Sequence, residues 1–438
     1  MTGLGLTGLG VPGRAAADGA FPDSMQLLVP ADHPHRIILA TNFGLIISED
    51  DGATWEWTCE ARDLDVAIVY QRAAAPSDRI FSVLAINRMV YSDDVACSWT
   101  PSGGGLATAV ARDAFADPTS AARVFAVAAE PSAVLIPSSV YRSDDGGATF
   151  GPALFTAPTG GDLLGVESAV SDPATVYLAI YGTSSSTSPP HLEPILGRST
   201  DGGQHWTTAN LVAALGPSVF RIIAVDPTDA RHLFLRVTIG SDNEALAVSE
   251  DGGLTFAEPV TVPGRLTAFV RLASGTILVG AITAAGDPLA FRSTDQGRTF
   301  VAWPGAPHLR ALAERDGRLF AAADNYLDHF AAGVSTDEGV TFQPLLTYNH
   351  VNRIKPCAQD RCQDFCINTL AALTLWPLQV CGDVPDAGKP PVAPPKGGCG
   401  CQASLGATTE TTNRWGTSLG TCLALLLVTK RRRPAQRR

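Results

Sequence analysis

Polar side chains able to hold a sugar or a peptide fall in three short stretches of this 438-residue chain. Each stretch follows an apolar, strand-like run, so each is predicted to be a loop between strands. Hydroxyl, amide, imidazole and carboxyl groups exchange hydrogen bonds with ligands, and loops on a rigid scaffold often carry binding sites. The same composition also suits a variable, solvated loop. The candidate binding residues are Tyr181, His191, Glu193, Asp242, Asn243, Asn325, Tyr326, Asp328 and His329.

The sequence contains few motifs that indicate catalysis. The chain has no phosphate-binding loop and no His-Glu-x-x-His pair, and its eight histidines are scattered. Most aspartates lie in turns, where their hydrogen bonds to the backbone account for them. The sequence therefore predicts no catalytic residue, no cofactor and no bound metal, and it favours a protein that is not an enzyme.

Six cysteines lie in the part of the chain from Cys59 to Cys381, and export to an oxidising compartment would allow them to form disulfide bonds. Zinc is the competing interpretation for the four that cluster after residue 350, but no Cys-x2-Cys pair and no histidine lies among those four. We predict one disulfide between Cys59 and Cys97. We predict two more bonds, in one of three pairings, among Cys357, Cys362, Cys366 and Cys381.

The charge distribution argues against a nucleic-acid partner. The formal net charge is −11, and six lysines and arginines occupy the last nine residues, so the rest of the chain carries roughly −17. A surface that contacts phosphates needs an excess of basic residues. With 45% hydrophobic and 17% charged residues, 42 glycines and 31 prolines, the composition is typical of an exported, turn-rich globular protein.

Seven copies of one motif, Ser-x-Asp-x-Gly-x-Thr-Trp/Phe, supply the framework that must position these residues. Successive serines are 44, 51, 56, 50, 44 and 42 residues apart, a period typical of one four-stranded propeller blade. Glycine permits a tight hairpin, and the serine and aspartate side chains can bond nearby amides. The copies are SEDDGATW at 48–55, SDDVACSW at 92–99, SDDGGATF at 143–150, STDGGQHW at 199–206, SEDGGLTF at 249–256, STDQGRTF at 293–300 and STDEGVTF at 335–342.

In these repeats the chain resembles the Asp-box, or BNR-repeat, β-propellers, which include sialidases, xyloglucanases and sortilin-type receptors. In that superfamily the box joins the two outer strands of a blade and has a structural role. The second copy, with Ala96 and Cys97, and the fourth, with His205, depart from the pattern, and we expect those two hairpins to be less regular. The resemblance assigns the structural role to Asp50, Asp94, Asp145, Asp201, Asp251, Asp295 and Asp337.

The repeats predict an all-β fold, a seven-bladed β-propeller of four-stranded blades over residues 21–350. A Cys-rich helical cap is predicted at 351–384, a Pro/Gly-rich linker at 385–398 and a tail at 399–438, and residues 1–20 are interpreted as the remnant of a signal peptide. We expect blade 7 to pack against blade 1, with the stretch around Phe21 as a candidate extra strand.

The same resemblance raises the alternative of a glycoside hydrolase. Sialidases carry an Arg-Ile-Pro signature, whereas the nearest strings here, Arg36-Ile37-Ile38 and Arg79-Ile80-Phe81, have no proline. Xyloglucanases pair two propellers around a cleft with opposed aspartates, and this chain has room for one propeller. A glycoside hydrolase acting on extracellular polysaccharide therefore stays the alternative, together with an assembly factor for an envelope complex.

The C-terminal tail is predicted to be a sorting signal. The order GGCGC, an apolar run from Trp415 to Thr429 and a terminal arginine cluster looks like the myxobacterial-type C-terminal sorting tag, MYXO-CTERM. That resemblance implies export, removal of the tail and attachment at the cell surface through Cys399 or Cys401. The fifteen residues of this run cover about 22 Å as a helix, short of a ~30 Å hydrocarbon core. A single-pass tail anchor is the other interpretation.

Together these features predict an exported, monomeric cell-surface propeller that acts as a non-catalytic binding or scaffold module. Its ligand is expected to be a protein or a glycan, and its membrane contact is expected to be made by the tail.

Overall fold

Seven antiparallel four-stranded sheets follow one another along the chain and form a seven-bladed β-propeller, as the repeats predict. The computed structural model describes residues 22–59, 67–84, 88–129, 138–158, 161–183, 192–240 and 243–382. Within each blade the strands pair in chain order, and the first strand of one blade packs beside the first strand of the next. Phe21 and the predicted leader, linker and tail lie outside the described residues.

The strands are numbered β1 to β31 in chain order, and most belong to the blades. Blades 1 to 3, with one short extra pair, contain β1 to β14: Ser24–Leu28, Ile37–Thr41, Gly44–Ser48, Glu56–Thr58, Ala67–Arg72, Ile80–Leu84, Met89–Ser92, Thr100–Pro101, Gly103–Gly104, Val110–Ala116, Val124–Ala129, Ser139–Ser143, Thr149–Phe150 and Phe155–Thr156. Blades 4 to 7 and one final strand contain β15 to β31: Asp162–Ser168, Val176–Thr183, Leu192–Ser199, Thr207–Asn210, Phe220–Val225, Leu233–Ile239, Asn243–Ser249, Val260–Val262, Arg265–Arg271, Ile277–Ile282, Pro288–Ser293, Val301–Ala302, Leu309–Arg315, Arg318–Ala323, Ala332–Ser335, Gln343–Leu346 and Arg353–Ile354.

Helical segments are few and short. A four-residue helix, α1 (Val212–Leu215), lies between blades 4 and 5. The others follow blade 7 and form the cap, which we define as residues 348–382. They are 3₁₀ turns at Tyr348–His350, Pro356–Ala358 and Leu378–Cys381, the helix α2 (Gln359–Phe365) and a π-helical turn at Cys366–Ala371.

All seven copies of the motif form the same hydrogen-bonded hairpin. The serine Oγ donates to the aspartate Oδ1 at 2.6–2.9 Å. It accepts the amide of the fifth motif residue at 2.7–2.9 Å. The aspartate also accepts the amide of the seventh residue at 2.8–2.9 Å. A turn that satisfies its own donors folds locally, which explains why the motif recurs.

The two departing copies keep this pattern, so the expectation that they are less regular is wrong for their hydrogen bonds. In the second copy the amide of Ala96 still donates to Ser92 Oγ at 2.8 Å, although Val95 and Ala96 adopt positive φ angles of 53° and 65°. In the fourth, His205 Nδ1 lies 2.6 Å from Asp201 Oδ2 and takes the place of the threonine hydroxyl. The backbone of the turn sets the geometry, and the side chains adapt to it.

The motif glycines also let neighbouring blades approach closely. Gly147, at φ 77°, lies where a β-carbon would stand 2.5 Å from a ring carbon of Phe81 in the preceding blade. A larger residue would force the blades apart or strain the turn. Phe81 is fully buried in the core between blades 2 and 3, so the motif connects turn formation with blade packing.

The first strand of each blade presents an unpaired edge to the centre of the ring, and side chains from neighbouring blades bond several of its amides. Gln26 Oε1 accepts the amide of Tyr70 at 2.7 Å. Glu244 Oε2 accepts the amide of Leu266 at 2.8 Å. A sheet edge with unpaired amides can pair with another chain. These hydrogen bonds satisfy some of the edge amides and also connect neighbouring blades.

Ring closure combines blade packing with a fifth strand on blade 1. Blade 7 packs directly on blade 1 in one continuous hydrophobic core. After blade 7 the chain turns through Tyr348–His350, and β31 then pairs in parallel with β4, the outer strand of blade 1. Trp376 of the cap, 2% exposed, lies with its ring centroid 5.4 Å from that of Trp57 in β4.

The disulfide pattern corrects the predicted Cys59–Cys97 bond, which is wrong. The pairs are Cys59–Cys362, Cys97–Cys357 and Cys366–Cys381, so one bond rather than two lies within the cap. The physical reason is that the start of the cap crosses the outer strand of blade 1 and the motif of blade 2, giving both propeller cysteines a partner there. Arg361 reinforces the crossing by donating to the carbonyl oxygens of Cys59 and Ala96 at 3.2 and 3.1 Å.

Replacing Asp251 by alanine is expected to lower the free energy of unfolding by about 1 to 3 kcal/mol, because its partners lose their acceptor. Burial opposes ionisation, but hydrogen bonds from Thr255 and Ser249 hold the pKa of Asp251 at about 2. Urea denaturation measures the change. Asp144→Ala is the matched control, since Asp144 is an exposed motif residue paired with Arg142 at the surface, worth about 0–1 kcal/mol. Equal losses in both variants would contradict the prediction.

Candidate functional site: the grooves between blade 7 and the cap

Three of the predicted binding residues line one groove where blade 7 meets the cap. Asn325, Tyr326 and His329 belong to the loop between the second and third strands of blade 7. The groove has a volume of about 480 Å³. Its other walls come from the segment that leaves blade 7 and from the turn after the π-helical segment. It is lined by Asn325, Tyr326, His329, Thr347, Asn349, His350, Thr374 and Leu375.

A second groove continues the first along the seam between blades 7 and 1. The two share Asn349 and His350, and the second has a volume of about 510 Å³. We call the pair the seam grooves. The second is lined by Gly52, Ala53, Trp55, Leu345, Asn349, His350, Val351, Asn352, Pro377, Gln379 and Val380. The shared residues show that the two grooves adjoin.

The lining of the seam grooves contains no aspartate, glutamate, lysine or arginine. Burial, with the nearby charge of Asp324, raises the pKa of the Tyr326 phenol, so this hydroxyl is neutral at physiological pH. In a chain of net charge −11, a surface of this size without acidic side chains is a distinct chemical environment.

The grooves have rigid walls. The Cys366–Cys381 bond closes the part of the cap that contributes Thr374, Leu375 and Pro377. Asn325 Oδ1 accepts the amide of Tyr348 at 3.0 Å, which fixes the blade 7 loop to the start of the cap. A surface held in this way loses little conformational entropy when a ligand binds.

Asp328 and Asn243 do not line the grooves. Asp328 Oδ2 accepts the amides of His308 and Asp324 at 3.0 and 3.1 Å, and its Oδ1 lies 2.9 Å from His308 Nδ1. These contacts hold the loop that presents Tyr326. Asn243 begins β21 in blade 5 and is exposed.

The blade 4 candidates are also absent from the grooves. Tyr181 is half-buried in β16, and the buried Glu193 of β17 accepts a hydrogen bond from the side-chain amide of Asn210. His191 and Asp242 lie outside the described residues. The structure therefore brings together only the blade 7 members of the predicted set.

A cluster that the sequence reasoning missed lies on the innermost strands of blades 3 to 5. Asp113 Oδ2 accepts the amide of Val166 at 3.1 Å, and burial raises the pKa of Asp113 to about 6. Burial and the charge of Asp113 raise the pKa of Glu167 well above its usual range. Arg221, which donates to the carbonyl of Leu164 at 2.5 Å, has its pKa lowered by burial. An acidic residue in each of two neighbouring inner strands was the available signal.

The cap residues of the grooves were missed for another reason. Thr374 lies 48 positions after Tyr326 in the chain, beyond the blade whose loop it faces. Only the fold-back of the cap brings the two into one groove. The histidine-containing segment Tyr348–His350 gives no periodic signal, because it is a single 3₁₀ turn.

Comparisons with known proteins identify no family. A scan against protein-family profiles and a search of curated proteins find no match. Among solved structures, a GH74 xyloglucanase from Xanthomonas campestris is similar at 16% identity and a TM-score of 0.38, over 73% of this chain and 57% of that one. YCF48 from Cyanidioschyzon merolae is 14% identical with a TM-score of 0.43, over 68% of this chain and 92% of that one. A structure of YCF48 bound to D1 peptide is 13% identical with a TM-score of 0.38, over 56% and 71%.

These matches are too distant to transfer an activity, and the propeller assignment rests on the sheets of the chain itself. The three disulfides indicate an oxidising, extracellular environment. Within the described ranges, no helix is both long and apolar enough to span a bilayer.

Asp113 is expected to make stability fall as pH rises. Its native pKa of about 6 exceeds the usual ~3.9 of an unfolded aspartate, so the native state binds more protons and loses stability between about pH 4 and 6. In Asp113→Asn, which keeps an acceptor for Val166, this loss should shrink by about 1–2 kcal/mol. Urea denaturation from pH 4 to pH 7.5 measures it, with Asp144→Asn as the exposed control. Parallel curves for Asp113→Asn and the unmodified protein would refute the assignment.

Proposed function

We propose that this protein is an exported, monomeric scaffold that binds a protein or a glycan through the seam grooves. The observation that carries the proposal is a rigid-walled surface that has no acidic side chain and is edged by the aromatic ring of Tyr326, in an acidic protein. Ligand sites are typically apolar concavities with a few fixed polar groups. Tyr326, His350 and Thr374 supply an aromatic face, an imidazole and a hydroxyl.

In this proposal the seven motifs are Asp-boxes that shape the blades and do not touch the ligand. Their aspartates are engaged with their own turns, for example Asp295 Oδ2 with the Thr299 hydroxyl at 2.6 Å. Side chains committed to a turn are poor recognition groups, because a ligand would have to break those bonds.

A second candidate function is the glycoside hydrolase alternative, favoured by Asp113 and Glu167. Glycosidases use two carboxyl groups, one kept protonated by a raised pKa. Both groups here have raised pKa values and interact electrostatically. Release of reducing ends from a polysaccharide, abolished by Glu167→Gln and retained by Tyr326→Ala, would select the hydrolase. Binding without turnover would select the scaffold.

The tail is proposed to tether the protein to the cell surface, as its resemblance to the MYXO-CTERM tag implies. An acyl chain adds about 0.8 kcal/mol per buried methylene, so lipid on Cys399 or Cys401 would hold a protein that the short apolar run anchors poorly. The mature chain should end near these cysteines and partition into detergent. Replacing both by serine should leave the chain unprocessed, whereas Cys422→Ser, within the apolar run, should not.

Mass spectrometry of the surface fraction tests the tether. Peptides that extend to Arg438 in the mature, surface-exposed protein would contradict processing and would favour a simple tail anchor.

Binding through the grooves predicts a local mutational pattern. A glycan array and a random-peptide phage library supply the probes, and binders are titrated against the full chain. Tyr326→Ala is expected to weaken binding about tenfold or more, as for an aromatic hot spot. Leu254→Ala is the matched control, because Leu254 is 76% exposed on the blade 5 motif. Equal affinity of both variants for every binder would contradict the proposed function.

A further inference from the structure

Exposed apolar side chains concentrate beside the seam grooves. Four of the ten large hydrophobic side chains that stand exposed among the described residues are Tyr326, Leu327, Leu373 and Leu378, at 57%, 60%, 58% and 42%. Tyr326 lines the first groove, and each leucine is next in the chain to a residue that lines one of the two. Single exposed leucines are ordinary, but a cluster beside a concave surface marks an interaction site.

These side chains come from two separate parts of the chain. Tyr326 and Leu327 lie in the blade 7 loop, where Asp324 Oδ1 accepts their amides at 2.9 and 3.0 Å. Leu373 and Leu378 lie in the cap, on either side of the buried Trp376. The hydrogen bonds of Asp324 hold the blade 7 loop, and the buried Trp376 holds the cap segment, so these apolar side chains stand on ordered backbone.

The polar groups of the grooves are hydroxyls, amides and the two imidazoles of His329 and His350. Thr347, Thr374, Asn349 and Gln379 are among the lining residues. Such groups match the alternating N–H and C=O groups of an extended backbone. The lining has no aspartate or glutamate, so a lysine or arginine side chain entering the grooves would lose hydration without gaining an acidic partner.

Resting on the proposed function, we infer that the ligand of the seam grooves is an extended peptide segment with uncharged, apolar side chains. Aliphatic leucines beside the groove favour apolar peptide side chains, whereas a sugar is recognised by aromatic faces and dense hydrogen bonding. The two connected grooves suit an elongated segment, with apolar side chains against Tyr326, Leu327 and Leu373 and backbone groups toward Thr374 and Asn349.

The experiment uses the full chain with its disulfides intact. A random-peptide phage library is selected on the immobilised protein, and the affinity of enriched peptides is measured by calorimetry at low and high salt. We expect uncharged apolar sequences whose affinity varies little with salt, because no ion pair forms. Leu327→Ala and Leu373→Ala should each weaken binding about five- to tenfold. Val340→Ala, 73% exposed on the blade 7 motif, should leave it unchanged.

The outcomes separate this inference from the proposed function. Enriched peptides that are charged and salt-sensitive, or a glycan that alone binds and is lost in Tyr326→Ala, would overturn the peptide assignment and leave the binding module standing. Peptides whose affinity is unchanged by every groove variant would overturn both. Thermal denaturation and non-reducing peptide mapping of each variant ensure that a loss of binding is not a loss of the cap.

Discussion

A propeller ring persists only if its last blade is fixed to its first, and here the segment after blade 7 provides that link. β31 pairs in parallel with β4 of blade 1, just as β9, which follows blade 2, pairs in parallel with β13 of blade 3. The chain thus pairs with blade 1 as it pairs with blade 3. Cys59–Cys362 and Cys97–Cys357 then join residues 303 and 260 positions apart. Removing such a bond lowers the free energy of unfolding by about 2–5 kcal/mol. In the chain-entropy model, a cross-link that closes a longer loop restricts the unfolded chain more.

The repeat that departs most from the motif is the one that receives the cap. In blade 2, Lys355 Nζ donates to the carbonyl of Val95 at 2.8 Å, Arg361 donates to that of Ala96, and Cys97 is bonded to Cys357. The hairpin keeps its own hydrogen bonds, so it can change its outer residues without losing its shape. Sequence divergence within a repeat here marks a tertiary contact rather than a weakened turn.

The sequence was sufficient for the parts of the fold that are local. A motif whose serine and aspartate bond amides within four residues predicts its own hairpin, and its spacing predicts the blades. The disulfides were not predictable, because the partners of Cys59 and Cys97 depend on where a distant cap packs. The groove was half predictable: Tyr326 and His329 lie on a blade loop, whereas Thr374 and Leu375 join them only through the same fold-back. The carboxylates of Asp113 and Glu167 were missed because an acidic residue in each of β10 and β15 does not reveal that the two strands lie side by side.

Closure and binding are coupled through this geometry. A ligand bound in the seam grooves as we propose would contact blade 7 at Tyr326 and blade 1 at Trp55, so it would bind the closed ring and not an opened one. Such a ligand adds RT ln(1 + [L]/Kd) to the stability of the closed state, about 2.7 kcal/mol at a hundredfold excess over Kd. The inner strands act in the opposite sense at neutral pH, because Asp113, whose pKa burial raises to about 6, ionises there at a cost in stability. Cys59–Cys362 and Cys97–Cys357 tie the cap to blades 1 and 2, and Cys366–Cys381 closes the part of the cap that lines the surface that we propose recognises the partner.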